Sequence, residues 1–233
     1  MEKYLNETKI LDYSSKSIQN LIEKREWSNF DINKKVKSIY NFVRDEIKMG
    51  FSISDNLPAS QILKEGYGQC NTKSTLLMAL LRAVKIPTRI HGFTVDKKLF
   101  KGVLNGVWYT LTPNNILHAW VEVYVNDRWY NLEGVILDKA YLMNLQKENI
   151  DCKATFCGYG AYTDNFQNPQ IEWNLNNTYI QEKGINQDFG LFNSPDDFYA
   201  KHKQKLNFIK KLIFENIVRD KMNKNIERIR NGR

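Results

Sequence analysis

Two side chains in this 233-residue sequence have the type and surroundings that nucleophilic chemistry needs, Cys70 and His118. Cys70 stands in "GYGQCNTKSTLLMALLRAVKIPTR" (66–89), where a glycine turn runs straight into a helix-patterned segment. A helix N-terminus presents free backbone N–H groups and about half a unit of positive charge. A thiol there is expected to ionise more readily, so Cys70 should react with iodoacetamide near pH 6.5 before Cys152 or Cys157 does. The same N–H groups can donate to an oxyanion during acyl transfer. Gly66 and Gly68 allow the tight turn and keep the approach to Cys70 open.

His118 opens the strongest strand pattern, "HAWVEVYV" (118–125). Alternation puts His118, Trp120, Glu122 and Tyr124 on one face and Ala119, Val121, Val123 and Val125 on the apolar, core-facing one. Asn126-Asp127 reads as a two-residue hairpin loop into "RWYNLEGV" (128–135). Residue numbers of paired positions then sum to 253. Trp120 falls opposite Glu133, so Glu133 shares the His118 face and lies diagonal to it, about 7–8 Å away. A Cys–His–carboxylate triad emerges: Cys70 attacks, His118 moves the proton, and Glu133 orients and stabilises the imidazolium. Asn131 is the other group able to orient His118, although its register places it opposite Glu122.

These elements need a frame. Helical spacing appears over 14–25 and 31–48, the second starting at Asp31. A short helix covers Ala59 to Lys64 and ends at Gly66. The Cys70 helix has Leu76, Leu77, Leu80, Leu81 and Val84 on its buried face and stops before Pro87. Residues 88–95, 106–111, 118–125 and 128–135 read as strands, and 139–148 as a helix. Residues 150–193 carry little periodicity. A helix then opens with Ser194 as N-cap, Pro195 in its first position and Asp196 and Asp197 in its first turn; Leu206, Ile209, Ile213 and Ile217 continue its apolar stripe. The fold class is α+β, with a nucleophile helix packed on an antiparallel sheet and extra helices at both ends.

With the motifs in place, the sequence resembles the transglutaminase-like superfamily within the papain-like cysteine enzymes. The family pattern is G-x-C on a helix, then G-I-P-x-R, then H-A-W-x-E and W-x-x-x-D; here it spans roughly residues 35–135. The resemblance implies Cys70 as nucleophile, His118 as base and Glu133 in place of the usual aspartate. Trp120, Tyr67 and Gln69, close to these residues in the sequence, are expected to wall the site or bind substrate. It implies a thioester intermediate on a peptide or other amide substrate and no metal or cofactor. Three departures stand out. Glu133 is one methylene longer than aspartate, Lys85 replaces the glycine before Ile86-Pro87, and Lys64 occupies the place where papain-like enzymes often carry an oxyanion glutamine. Calcium-dependent transglutaminases are much larger, and 233 residues leave no room for their further domains.

The expected organisation is a catalytic domain over 1–193 and a basic helical extension over 194–233 that packs on the body. The net charge of +8 comes entirely from residues 201–233, which hold 11 Lys/Arg against 3 Asp/Glu. The apolar stripe in that tail argues for docking on the body rather than on nucleic acid. Nucleic-acid binding through the tail would weaken steeply with salt. Mean hydropathy is −0.53. No apolar run approaches a membrane span and the N-terminus lacks a signal-type stretch, so a cytoplasmic location without membrane contact is the expectation. Three cysteines agree with that, and Cys152 and Cys157, lacking nearby histidines, do not read as a zinc site. His91 reads as a structural strand histidine. The expected activity is amide hydrolysis; acyl transfer to an amine and an inert binding protein on the same fold are the alternatives.

Overall fold

The structure, a computed structural model, describes residues 1–204 and 212–233. The helices are α1 Lys16–Lys24, α2 Ile32–Asp45, α3 Ala59–Glu65, α4 Cys70–Ala83, α5 Gly106–Leu111, α6 Lys139–Glu148, α7 Pro195–Lys201 and α8 Arg219–Arg230. The strands are β1 Lys48–Met49, β2 Tyr67–Gly68, β3 Thr88–Asp96, β4 Asn115–Val125, β5 Arg128–Asn131, β6 Phe156–Gly158, β7 Ala161–Thr163 and β8 Ile185–Phe192. The main sheet is antiparallel with order β5-β4-β3-β8; β1 and β2 form a short parallel pair, and β6 and β7 a small hairpin. This is the expected α+β class.

Helix α4 is the centre of the molecule. Every residue from Cys70 to Arg82 is buried, so its apolar stripe extends to the whole circumference. Its polar groups therefore need partners. Lys73 donates to the carbonyls of Arg44 (2.9 Å) and Ile136 (3.0 Å), and burial lowers its pKa to about 7. Arg82, at the opposite end, donates to Thr88 Oγ1 (3.1 Å) and to the carbonyls of Thr88, Asn6 and Asn193.

The helix ends in a Schellman turn: Ile86 N–H reaches the Leu81 carbonyl (3.0 Å) and Lys85 N–H the Arg82 carbonyl (2.9 Å). Lys85 is left-handed, with φ +64°. A side chain there costs about 1 kcal/mol relative to glycine. Lys85→Gly is expected to raise stability by up to about that amount, read as a higher urea midpoint at unchanged slope; a lower midpoint would contradict this account of the turn.

The hairpin forms as the sequence suggests. Asn126 and Asp127 both have positive φ (50° and 60°), the mark of a type I′ turn. The observed pairs Val125↔Arg128, Tyr124↔Trp129 and Glu122↔Asn131 all sum to 253. β5 stops at Asn131, before the expected 135. Leu132 N–H still reaches the Val121 carbonyl (2.8 Å), but Glu133 N–H turns away to the Thr178 carbonyl (3.1 Å).

Three expectations are corrected. Residues 106–111 form α5, not a strand: the segment pairs with neither edge of the β5-β4-β3-β8 sheet, and its surroundings override its β-propensity. Strand β8, within the stretch that shows little periodicity, is an edge strand with no buried residue, and two register shifts break its alternation against β3. The expected continuous helix after Ser194 ends at Lys201. Ser194 caps it by accepting from Asp197 N–H (3.1 Å), but His202 is extended, with its ring stacked on Phe189 at 4.0 Å. Leu206 and Ile209 lie outside the described residues. Beyond them a π-helical turn, Phe214–Val218, shifts the stripe by one residue. Val218, Met222, Ile226 and Ile229 are buried, and Ile217 is 43% exposed.

The C-terminal segments make specific contacts with the rest of the chain. Asp196 accepts from Ile10 N–H (3.3 Å) and from Thr8 Oγ1. Arg230 forms a buried pair with Asp138 (2.7 Å) and donates to the Met49 carbonyl (2.6 Å). Among the described residues no helix is long and apolar enough to cross a membrane.

Candidate active site

Cys70 occupies the first position of α4. Gly66, left-handed with φ +70°, closes α3, and β2 then pairs with β1, Gly50 N–H meeting the Gly68 carbonyl (3.1 Å). At Gly68 a Cβ would lie 2.6 Å from Thr72 Oγ1, which receives the Gln69 N–H (3.0 Å). Glycine is thus required where the strand meets the helix cap. The Gln69 side chain accepts from Ser52 N–H (2.8 Å) and donates to Asp55 (2.8 Å). It therefore builds the wall of the Cys70 cavity and is committed to protein partners.

Helix α4 is fixed to β4 on both sides of the histidine. Asn71 Nδ2 donates to the Leu117 carbonyl (3.2 Å) and Ser74 Oγ to the Ala119 carbonyl (3.3 Å). His118 lies between these two anchors, 1% exposed, opposite Phe93 with ring centroids 4.9 Å apart. Its Nε2 faces Glu133 Oε1 at 3.9 Å, and neither atom has another partner. Glu133 is fully buried, and its Oε2 accepts from Ile180 N–H (2.6 Å) and Gln181 N–H (2.9 Å). One carboxylate oxygen is anchored and the other is aimed at the histidine across a gap slightly longer than a hydrogen bond; such contacts often tighten only when substrate is bound. Asn131 is spent elsewhere, donating to Tyr179 Oη (2.6 Å). The structure thus places Glu133, not Asn131, beside His118.

The Cys70 thiol departs from expectation. Burial pushes its pKa well above the ordinary thiol range and the Asp55 carboxyl adds to that, against the N–H groups of Asn71 and of Cys70 itself, which favour the thiolate. Desolvation outweighs the helix dipole because the sulfur is enclosed. Cys70 is therefore not expected to alkylate ahead of the other cysteines at pH 6.5. Alkylation of Cys70 is expected to rise about tenfold per pH unit from pH 7 to 9, with no plateau at lower pH, as followed by peptide mass spectrometry. A pH-independent rate below pH 7 would reveal a preformed thiolate.

A cavity of about 400 Å³ opens at Cys70, walled by Gln69, Asn71, Asp55, Tyr199 and apolar residues of α5, β4 and the C-terminal helix. Neither Tyr67 nor Trp120 lines it, which corrects their expected placing. Tyr67 packs over Gly50, and Trp120 meets Phe93 at a tilt (4.6 Å) and His91 edge-on (5.1 Å), backing the Phe93 ring that lies against His118. Lys64 is exposed at the end of α3. His91 holds a surface network, with Nδ1 near Glu122 (3.3 Å) and Nε2 near Asp188 (2.8 Å), and Arg89 beside Glu122 (2.6 Å). Among the described residues no group of three or more His, Cys, Asp or Glu side chains is placed to hold a metal ion.

Sequence reasoning passed over Ser52, Asn71 and Tyr199. Each is buried in the cavity wall with a polar atom that has no protein partner: Ser52 Oγ, Asn71 Oδ1 and Tyr199 Oη. Asn71 alone carried a signal, as a polar residue directly after the nucleophile.

The profile of the transglutaminase-like superfamily matches residues 19–134. No curated protein matches. Among solved structures, the chain is similar to a candidate cysteine protease from Cytophaga hutchinsonii, at 15% identity over 83% of this chain and 47% of that one, with a TM-score of 0.48. A candidate protease from Parabacteroides distasonis shares 15% identity over 55% of this chain and 25% of its own, with a TM-score of 0.37. Red sea bream transglutaminase shares 19% identity over 57% and 25%, with a TM-score of 0.32. The chain spans less than half the length of each.

Proposed function

Because the chain belongs to the transglutaminase-like superfamily, we propose that it is a cysteine-dependent amide hydrolase with Cys70, His118 and Glu133 as its triad. The observation that carries this reading is the unpaired Nε2 of His118 facing the unpaired Oε1 of a buried, backbone-anchored Glu133. A carboxylate at Nε2 keeps a proton on that nitrogen, which leaves Nδ1 as the base.

The reaction begins with the thiol protonated. His118 takes the Cys70 proton as Sγ attacks the substrate carbonyl carbon. The free N–H groups of Cys70 and Asn71 meet the oxyanion. Collapse breaks the C–N bond, and the proton on His118 passes to the departing amine. Water then gives a proton to His118 and attacks the thioester; the S–C bond breaks, the acid leaves and Cys70 regains its proton. Glu133 orients the ring and stabilises the imidazolium.

The test is intact-protein mass spectrometry with a library of amide acyl donors, in water containing a labelled primary amine. A transient adduct at Cys70, absent in Cys70→Ala, with free acid as the main product is expected. No adduct with any donor would end the hydrolase reading. Amine adduct predominating at millimolar amine would make the protein an acyltransferase, because water would be losing to a far more dilute acceptor.

A further inference from the structure

The Cys70 cavity carries information about substrate that the triad does not. Around the nucleophile its wall is polar and tied together: Gln69 to Ser52 and Asp55, Asn71 to Leu117. Elsewhere Phe100, Leu104, Trp108, Ile116, Phe214 and Met222, drawn from separate segments of the chain, make it largely apolar. At about 400 Å³ it falls within the range of pockets that enclose most of a small organic ligand.

Two of the unpartnered atoms match one chemical group. Asn71 Nδ2 is held by the Leu117 carbonyl, which fixes Oδ1 as an acceptor; Tyr199 Oη brings a hydroxyl donor. Asn71 is 2% exposed and Tyr199 4%. Buried groups of this kind are normally paired. An amide supplies one N–H and one carbonyl oxygen, the two complements these atoms lack.

The surroundings argue against an extended polypeptide. Ile116 and Leu117 of β4 border the cavity, and a peptide strand added there would need the outward main-chain groups of Leu117 and the adjoining Asn115. Leu117 N–H is taken by Gln204 Oε1 (2.7 Å), the Leu117 carbonyl by Asn71, and the Asn115 carbonyl by Gln204 Nε2 (3.3 Å). That edge is closed to a further strand. The acyl half becomes bonded to Cys70 in the first step and stays in the site until water releases it in the second, whereas the amine departs after the first, so an apolar cavity that opens at the thiol serves the acyl half.

We propose that the Cys70 cavity binds the acyl half of its substrate as a long apolar chain, making the substrate a fatty-acyl amide, with Tyr199 donating to the acyl carbonyl and Asn71 accepting from the amide N–H. This rests on the reading of Cys70 as the nucleophile. Tyr199 lies outside the residues matched by the family profile, so the C-terminal segment adds a catalytic residue to the triad.

The experiment separates binding from turnover. Full-length Cys70→Ala protein is titrated calorimetrically with acetyl, butanoyl, hexanoyl, octanoyl and decanoyl N-methylamides. Affinity is expected to rise roughly fourfold per added methylene until the cavity is filled. Ile116→Trp, at a partly exposed wall position that tolerates a larger ring, should end the rise at a shorter chain, and Trp108→Ala should extend it. In the active protein, Tyr199→Phe should lower kcat/KM tenfold or more at every length and leave the length dependence intact.

Affinity independent of acyl length, or governed instead by alkyl groups on the amine side, overturns the proposal; so does a peptide of equal apolar content that binds more tightly than the decanoyl amide. Length-dependent binding by a protein that forms no Cys70 adduct removes the hydrolase reading and leaves the binding site standing. Turnover without length dependence does the reverse.

Discussion

Glu133→Gln is expected to lower turnover by on the order of 10²- to 10⁴-fold with the fold retained. The carboxylate oxygen Oε2 receives the N–H groups of Ile180 and Gln181. A glutamine in this place keeps those bonds only by offering its carbonyl oxygen to them, which turns its NH₂ toward His118 Nε2. Two donors cannot face each other, so Nε2 becomes the acceptor and the histidine proton moves to Nδ1. The base is then blocked, and the imidazolium loses its counter-charge. Glu133→Asp shortens the side chain by one methylene and cannot span both the backbone anchors and the histidine; an intermediate loss is expected. Steady-state turnover beside urea midpoints checks both. Full activity in Glu133→Gln, with Asn131→Ala inactive, would transfer the orienting role to Asn131.

The largest stability effect is expected at Arg230. Its guanidinium is 6% exposed and Asp138 is 3% exposed, so the pair is out of water. Asp138 also caps α6 through Tyr141 N–H (3.0 Å) and accepts from Met49 N–H (2.9 Å). Arg230→Met leaves that carboxylate buried without the cation bonded to it and is expected to cost about 3–5 kcal/mol. Burial alone would raise the Asp138 pKa, but the Arg230 contact and the two N–H groups outweigh it and hold it below the usual carboxylate range. The sign follows: this stabilisation is present above about pH 4 and is lost as acid protonates Asp138. The gap between wild type and Arg230→Met, measured by urea unfolding, should therefore narrow as pH falls below about 4. Adding Asp138→Asn should recover part of the loss, because the double variant has no stranded charge. The effect reaches the nucleophile as well. Arg230 and Asp138 both hold Met49, whose strand pairs with Gly68, two residues before Cys70. An Arg230→Met protein as stable as wild type would contradict this account.

Both predictions depend on contacts with very different visibility in the sequence. The His118–Glu133 relation was legible because it needs only alternation and a two-residue turn. Asn126 and Asp127 accept positive φ, the register follows, and parity puts both side chains on one face. What holds Glu133 there was not legible: its anchors, Ile180 and Gln181, are 47 and 48 residues away in a stretch without periodicity. The Arg230–Asp138 pair, 92 residues apart, left no local trace.

The sequence by itself determined whatever is fixed within a few residues. The Asp31, Ser194 and Gly66 boundaries, the hairpin register and the start of a helix at Cys70 all arise from side chains acting on their own backbone. Tertiary structure alone decided what depends on enclosure. It kept 106–111 out of the sheet as a helix, and it ended the helix after Ser194 at Lys201, with His202 extended and its ring stacked on Phe189. It also reversed the expected shift of the Cys70 thiol and brought Tyr199, 129 residues further along the chain, to the wall of the same cavity. A helix dipole belongs to one segment and can be read from it. Desolvation is a sum over every segment that closes around a group, and no single stretch of sequence contains that sum.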